Sequence, residues 1–392
     1  MTIRSHFPIF TSYPDLVYLD NASTVHKPLQ VIEAMNHYIS HDYANIHRGQ
    51  YFLAEQSEKL YMQSKRTVAQ FIWGDYREIV YTYNATHASN IIIQSLIYTY
   101  KLKENDIVLV GIWDHHATIV PWQLLSKQFW FTVEFIDINP ETLDIDWIAL
   151  QGKIDNKNVK IVTCSHVSNV TGKIYDIKKL ANLLSDDVFL LVDWSQAVPH
   201  FQVDVSNIWA DAYFFTGHKM MWPTGIGVLW IDKQQARILQ TVQWWGWIIT
   251  DVTTEWSTLI RTADKFEPGT PNLIGAIGLW AACDFYTAHN IYEYIQKQHS
   301  LWKSAYDTII TKTWPLSLVW GMTDSTIGIA SLSLSSYQEV VEKLADHNIC
   351  VRVGGHCAHP LLSRLGIHQG LIRISPFVYN TSQDLEKLIE LL

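Results

Sequence analysis

Asp193, Gln196, Thr216, His218 and Lys219 fall where two apolar runs stop, VFLLVDWSQAVPH near His200 and DAYFFTGHKMMWPTGIG near Gly227. An apolar run of that length bounded by polar residues reads as a buried strand. In open α/β sheets, ligands sit beyond the carboxyl ends of such strands. A lysine there can form a Schiff base with an aldehyde, and a carboxylate can keep a pyridine nitrogen protonated so that the ring accepts electrons. Pyridoxal phosphate requires that pair. A bare Asp and Lys would serve equally well as ordinary strand ends. The fuller set, D-x-x-Q followed by T-G-H-K, favours the cofactor.

Such a pair needs a parallel sheet to carry it, and the middle of the chain alternates accordingly. EIVYTYNAT reads as strand then loop, ASNIIIQSLIYTYKL as helix, and DIVLVGIWDHH, FTVEFIDI, VKIVTCSHVSNVTG and VFLLVDW as further strands. Alternation of this kind predicts βα units. The loops at the strand ends carry Thr86, His115, Asn169, Asp193 and Lys219, so one sheet edge gathers the polar residues. One long helix is expected through AACDFYTAHNIYEYIQKQHSLWKSAYDTIIT, leading to a smaller lobe of mixed strands and helices. The predicted division is residues 16–265 for a large domain, with 1–15 and 266–392 forming a small one.

A chain of 392 residues, 48% hydrophobic and 17% charged, is long enough for a large core and is not disordered. A net charge of −9 argues against a nucleic-acid surface. MTIRSHFPIF does not read as a signal peptide, and no apolar stretch reaches the ~18 residues that cross a bilayer. A cytoplasmic protein is expected.

Cys164, Cys283, Cys350 and Cys357 show no C-x-x-C spacing. The first three lie in apolar or strand-like contexts and read as structural thiols. Cys357 lies in VRVGGHCAHP, among glycines and histidines, where a loop would expose it. Several of the 17 tryptophans, including Trp122, Trp194, Trp222, Trp244, Trp245 and Trp247, fall near the site in sequence. Of the 17 histidines, His6, His41, His87 and His200 read as ordinary surface or core residues, and His116, His356 and His359 stay open.

From YLDNASTVHKP and ANIHRGQYFLAEQSE through DHHATIVPWQ, SHVSNVTG, VDWSQAVPH and FEPGTPNLIGAIG to RVGGHCAHPLLSRLG and IRISPFVYNT, the chain resembles a known family. It is similar to the PLP-dependent class V aminotransferase-like family, in its cysteine desulfurase (SufS-type) or selenocysteine lyase branch. The resemblance implies an α/β fold of PLP-dependent transferase fold type I. A large domain would hold a mainly parallel seven-stranded sheet beside a smaller α+β carboxyl-terminal domain.

Position by position, the resemblance makes Lys219 the cofactor-bearing lysine, Asp193 the partner of the pyridine nitrogen and Gln196 a ligand of the phenolic oxygen. His115 would stack on the ring, and Thr86, Thr216 and His218 would hold the phosphate. Thr270 would reach that phosphate from the second subunit of a homodimer. His47, Asn169, Arg352 and Arg373 would surround L-cysteine, with Arg373 gripping its carboxylate. Cys357 would receive the sulfur and pass it to an acceptor protein for iron–sulfur cluster assembly. The alternatives are a selenocysteine or cysteine C–S lyase, an epimerase, an aminotransferase, or a non-catalytic paralogue.

Three departures stand out. The family's G-T-T is Asn84, Ala85, Thr86. Trp194 and Ser195 replace a small pair, which predicts a bulky ring near the cofactor. WWGWIITDV keeps one glycine, Gly246, of a glycine-rich stretch.

Overall fold

Seven apolar runs close into one sheet: β1 (Ile79–Thr82), β2 (Ile107–Gly111), β3 (Thr132–Ile136), β4 (Val159–Ser165), β5 (Phe189–Asp193), β6 (Ala212–Thr216) and β7 (Gly227–Ile231). Their order is β1-β7-β6-β5-β4-β2-β3, and β7 alone runs against the rest. The computed structural model describes residues 2–156, 158–245, 248–312, 317–318, 322–333 and 338–392. Both sheet faces are covered, which is why the strands read as continuous apolar runs. Val108, Val110, Leu191, Phe214 and Leu229 face one core, packed on α1 (Ala85–Tyr100) through Ile92 and Leu96. Leu109, Leu190, Val192, Phe215 and Val228, one residue out of phase, face the other.

The long helix expected through residues 281–311 is two helices. Leu273–Ala288 ends before Asn290, which takes a left-handed φ of 48°, and Ile291–Lys312 follows. Asparagine tolerates that conformation better than most residues, so its presence is a stop signal that periodicity alone overrode.

The smaller lobe holds an antiparallel sheet of β8 (Ser317–Leu318), β9 (Ala330–Ser333), β10 (Arg352–Gly354) and β11 (Leu371–Ile374), in the order β8-β9-β11-β10. The α/β architecture, with its mainly parallel seven-stranded sheet and smaller α+β lobe, is the one expected. Two features of the lobe bear on the site. Arg352 and Arg373 lie directly opposite each other across β10 and β11. Val17–Tyr18 pairs in parallel with Ile349–Cys350, and Asp20 bridges Ser375, which draws the segment from Asp20 to Ser23 to the junction of the lobes. No helix among the described residues is long and apolar enough to cross a membrane.

Candidate active site

β4, β5 and β6 end in Ser165, Asp193 and Thr216, and these three residues line one cavity of about 340 Å³. Thr86, His115, Asn169, Gln196, His218, Lys219, Arg352, Cys357 and Arg373 line it too. Eleven of the thirteen candidate residues therefore meet there. His47 and Thr270 do not. They share a separate depression of about 390 Å³ with Trp245.

Asp193 is buried, and its Oδ1 accepts the Ser195 backbone N–H at 2.8 Å. Burial pushes its pKa up, opposed by the Ser195 hydrogen bonds and the charge of Lys219. Burial also lowers Lys219 to about 8, with Asp193 pulling the other way. The two groups are thus mismatched to water and matched to a shared partner that carries both a cation and an electrophile.

His115 caps the helix His116–Phe129, its Nδ1 accepting the Ala117 N–H at 3.0 Å. That bond leaves the ring proton on Nε2. Burial, then the charges of Lys219, His116 and the two arginines, lower its pKa to about 3, so the ring is neutral. A neutral imidazole can lie flat on an electron-poor ring without charge repulsion.

Thr86 stands in the first turn of α1, capped by Asn84, whose side chain accepts the His87 N–H at 2.8 Å. Asn84 thus supplies a cap where the family's glycine would not. The opening of a helix favours an anion such as phosphate. Burial holds His218 near a pKa of about 4, so it offers a neutral ring there.

Among buried side-chain atoms of the described residues, Gln196 Oε1, Thr216 Oγ1 and Arg373 Nε have no hydrogen-bond partner. All three residues line the cavity. Unpartnered polar atoms converging with Lys219 and Asp193 fit a phosphate-bearing pyridine aldehyde and a carboxylate substrate. His200, read from sequence as an ordinary residue, is buried and fixes the Gln196 carbonyl through Nδ1 at 2.8 Å.

The Arg373 fork is already partly engaged. Nη1 donates to the Asn169 carbonyl at 2.9 Å, and Nη2 to Ser23 Oγ at 2.7 Å and Asp20 Oδ1 at 3.3 Å. Arg352 Nη1 stands 3.7 Å from Asp20 Oδ2. Burial lowers Arg373 to about 10, which leaves it charged at neutral pH. Asp20 and Ser23 were missed as site residues, as were Ser165, Thr224 and Gly225 on the cavity wall. The motif YLDNASTVHKP held the only signal for the first two.

Cys357 is exposed on the loop after β10, with φ 56°, beside the cavity mouth. Cys164 and Cys283 are buried, as expected, whereas Cys350 is only half-buried. The bulky ring expected near the cofactor is not there. Trp194 is fully buried and stacks on Tyr213 at 3.8 Å between centroids, and Ser195 takes the cavity side. Trp122 and Trp222 are likewise core residues, while Trp244 and Trp245 are exposed. Gly246 and Trp247 lie outside the described residues.

The model of the aminotransferase class-V family matches residues 17–388. A probable cysteine desulfurase of Vibrio cholerae is 33% identical over 99% of this chain and 96% of its own length. Another, from Pyrococcus abyssi, is also 33% identical, over 96% of this chain and 94% of its own. Among solved structures, an apo cysteine desulfurase from Thermococcus onnurineus superposes with a TM-score of 0.91 at 31% identity, covering 99% of this chain and 96% of that one. The S-sulfonic acid form of an Escherichia coli cysteine desulfurase gives 0.89 at 29% identity, with coverage of 99% and 96%. With strand ends, cavity and whole-length similarity in agreement, this chain belongs to the aminotransferase class-V family.

Proposed function

We propose that this chain is a pyridoxal phosphate-dependent cysteine desulfurase that converts L-cysteine to L-alanine and carries the released sulfur on Cys357. The observation that carries the reading is one cavity holding Lys219, Asp193, Arg373 and an exposed cysteine on a loop. Residues 16–265 form the cofactor-binding domain, and residues 1–15 with 266–392 form the small domain.

Bound pyridoxal phosphate supplies a protonated ring that accepts the electrons released at the substrate α-carbon. Asp193 would pair with the protonated pyridine nitrogen, and the Gln196 side chain would hydrogen-bond the phenolic oxygen. Thr86, Thr216 and His218 bind the phosphate, joined by Thr270 of the second copy in a homodimer. His47 reaches the same site from its own subunit or its neighbour. Arg373 and Asn169 orient the substrate carboxylate, with Arg352 at the entrance.

Lys219, with its lowered pKa, holds an accessible free-amine fraction near neutral pH and moves the α-proton. The Cys357 sulfur then attacks the substrate sulfur as the carbon–sulfur bond breaks. The bond's electron pair returns to the three-carbon skeleton, which takes up a proton and leaves as alanine. Cysteine plus thiol thus becomes alanine plus persulfide, with no outside oxidant. A sulfur-acceptor protein in the cytoplasm then removes the outer sulfur.

The test is the product spectrum with L-cysteine and a reductant, alongside Cys357→Ser. Equimolar alanine and sulfide, a protein persulfide lost in Cys357→Ser and an unchanged cofactor spectrum are expected. Pyruvate without alanine, or wild-type sulfur transfer in Cys357→Ser, would make it another reaction.

A further inference from the structure

Cys357 sits in a loop whose backbone no ordinary preference would choose. Gly354, His356 and Cys357 all have positive φ, at 111°, 49° and 56°. Left-handed conformations at non-glycine residues persist only where surrounding contacts enforce them. Two contacts hold successive carbonyls: Asn169 Nδ2 donates to the His356 carbonyl at 2.8 Å, and the His116 N–H to the Cys357 carbonyl at 2.7 Å.

The third contact is a pair of histidines. The His359 backbone N–H lies 3.2 Å from His116 Nε2, and His359 Nδ1 lies 3.1 Å from the same atom. The rings are 4.8 Å apart and 23° from parallel. Gly355 makes room for this, because a Cβ there would lie 2.6 Å from His359 Nε2. A backbone N–H can only donate, so His116 Nε2 is the acceptor and His359 Nδ1 carries its proton toward it. One lone pair on His116 thus ties the segment just after Cys357 to the helix that His115 opens.

We infer that His116 and His359 are positioning residues, a clamp that holds the Cys357 loop at the cavity mouth and opens when His116 gains a proton on Nε2. The inference rests on the reading of Cys357 as the sulfur-accepting residue. A protonated Nε2 has no lone pair and would face two donors, so the clamp cannot stay closed around it. Burial, and then the neighbouring His359, keeps it shut at neutral pH. His359 faces His116 from the loop, His115 is its neighbour on the helix, and Lys219, Arg352 and Arg373 lie beyond His115. None of these is an anion. Burial, then His359, lowers the His116 pKa, which places opening on the acid side of the ordinary histidine range.

The test is alkylation of Cys357 by iodoacetamide in the cofactor-loaded protein, mapped by peptide mass from about pH 5 to 8. A thiol in a fixed loop reacts about tenfold more slowly per pH unit below its pKa. The wild type should fall less steeply than that in the acid limb, because the loop loosens as the thiolate declines. His116→Gln keeps an acceptor that does not titrate, and should restore the tenfold slope. His116→Phe removes the acceptor, and should react severalfold faster than wild type at neutral pH. His359→Met, which leaves the backbone tie, should show a smaller gain and serves if His116→Phe fails to fold. If the Gln and folded Phe or Met variants all follow the wild-type profile, there is no clamp. Alkylation does not depend on transfer of substrate sulfur, so a clamp present with no persulfide on Cys357 would overturn the functional reading and leave the clamp standing.

Discussion

The cofactor cradle and the cysteine loop face the same cavity but are built in opposite ways. Asp193 and Thr216 end strands of a sheet buried on both faces, and Lys219 follows Thr216 within one turn. Their spacing is fixed by strand register, which cannot slip without turning every side chain to the other face. Cys357 has no such frame. It hangs from β10 in the smaller lobe, and a few hydrogen bonds to His116 and Asn169 set its place. On the proposed reading, chemistry that must stay aligned with a ring is anchored in the sheet, and the group that would meet both substrate and partner is carried on a loop.

If that division is right, damage to the cradle stops everything and damage to the loop stops only transfer. The largest effect is expected from Lys219→Ala. Losing the group that both holds the cofactor and moves a proton should lower alanine formation by at least about 10³-fold. Borohydride reduction of the wild type, followed by peptide mapping, should place the pyridoxyl group on Lys219. Because burial lowers its pKa to about 8, cofactor capture by the apo-protein should rise with pH and level off near that value. An unperturbed lysine would keep rising by a further two pH units or so.

The second prediction concerns the two candidate residues outside the cavity. His47 and Thr270 share a depression with the exposed Trp245, and in the proposed homodimer Thr270 serves the second subunit's site. Mixing Lys219→Ala chains with Thr270→Ala chains gives heterodimers with one site lacking both residues and one site intact. Equal exchange should leave about a quarter of all sites intact, since half the dimers are mixed. Activity that never exceeds either parent after mixing would place Thr270 in its own subunit, or outside the reaction.

The cradle was legible in the sequence and the substrate corner was not, for a physical reason. Asp193, Gln196, Thr216 and Lys219 stand within a few residues of apolar runs, so local pattern alone points them at a sheet edge. Arg373 is instead held by Asp20 and Ser23, some 350 residues away in sequence. Only the pairing of the amino-terminal segment with the smaller lobe brings them together. Trp194 shows a different limit. The chain leaves β5 at Asp193, and period-2 alternation no longer says which side the next ring takes. It took the core, on Tyr213. The break at Asn290 is a third kind, a local backbone preference hidden under a continuous helical pattern.

Arg373 tests how far the sheet-built frame extends into the smaller lobe. Arg373→Lys keeps the charge and loses the planar fork. A hydrogen bond to a charged group is worth about 1.5–3 kcal/mol, so KM for L-cysteine should rise about 10–100-fold. Cofactor occupancy should stay near wild type. A large loss of bound cofactor would show that Arg373 supports the fold through Asp20 and Asn169, and does not serve the substrate.

The smallest effect is expected at Gly354, and it separates loop geometry from loop contact. Its φ of 111° lies in a region that side-chain-bearing residues rarely enter, yet a Cβ there would meet nothing within 4 Å. Gly354→Ala therefore adds strain without a clash, about 1–2 kcal/mol on the loop conformation that presents Cys357. Since 1.4 kcal/mol is a factor of ten, persulfide formation should slow by about tenfold. The cofactor spectrum and substrate binding should not change, because Lys219, Asp193 and Arg373 do not depend on that turn. Gly355→Ala, whose Cβ would strike His359, should slow the same step and also alter its pH dependence. If Gly354→Ala instead disturbs the cofactor spectrum, the loop and the cradle are one mechanical unit, and the contrast between them fails.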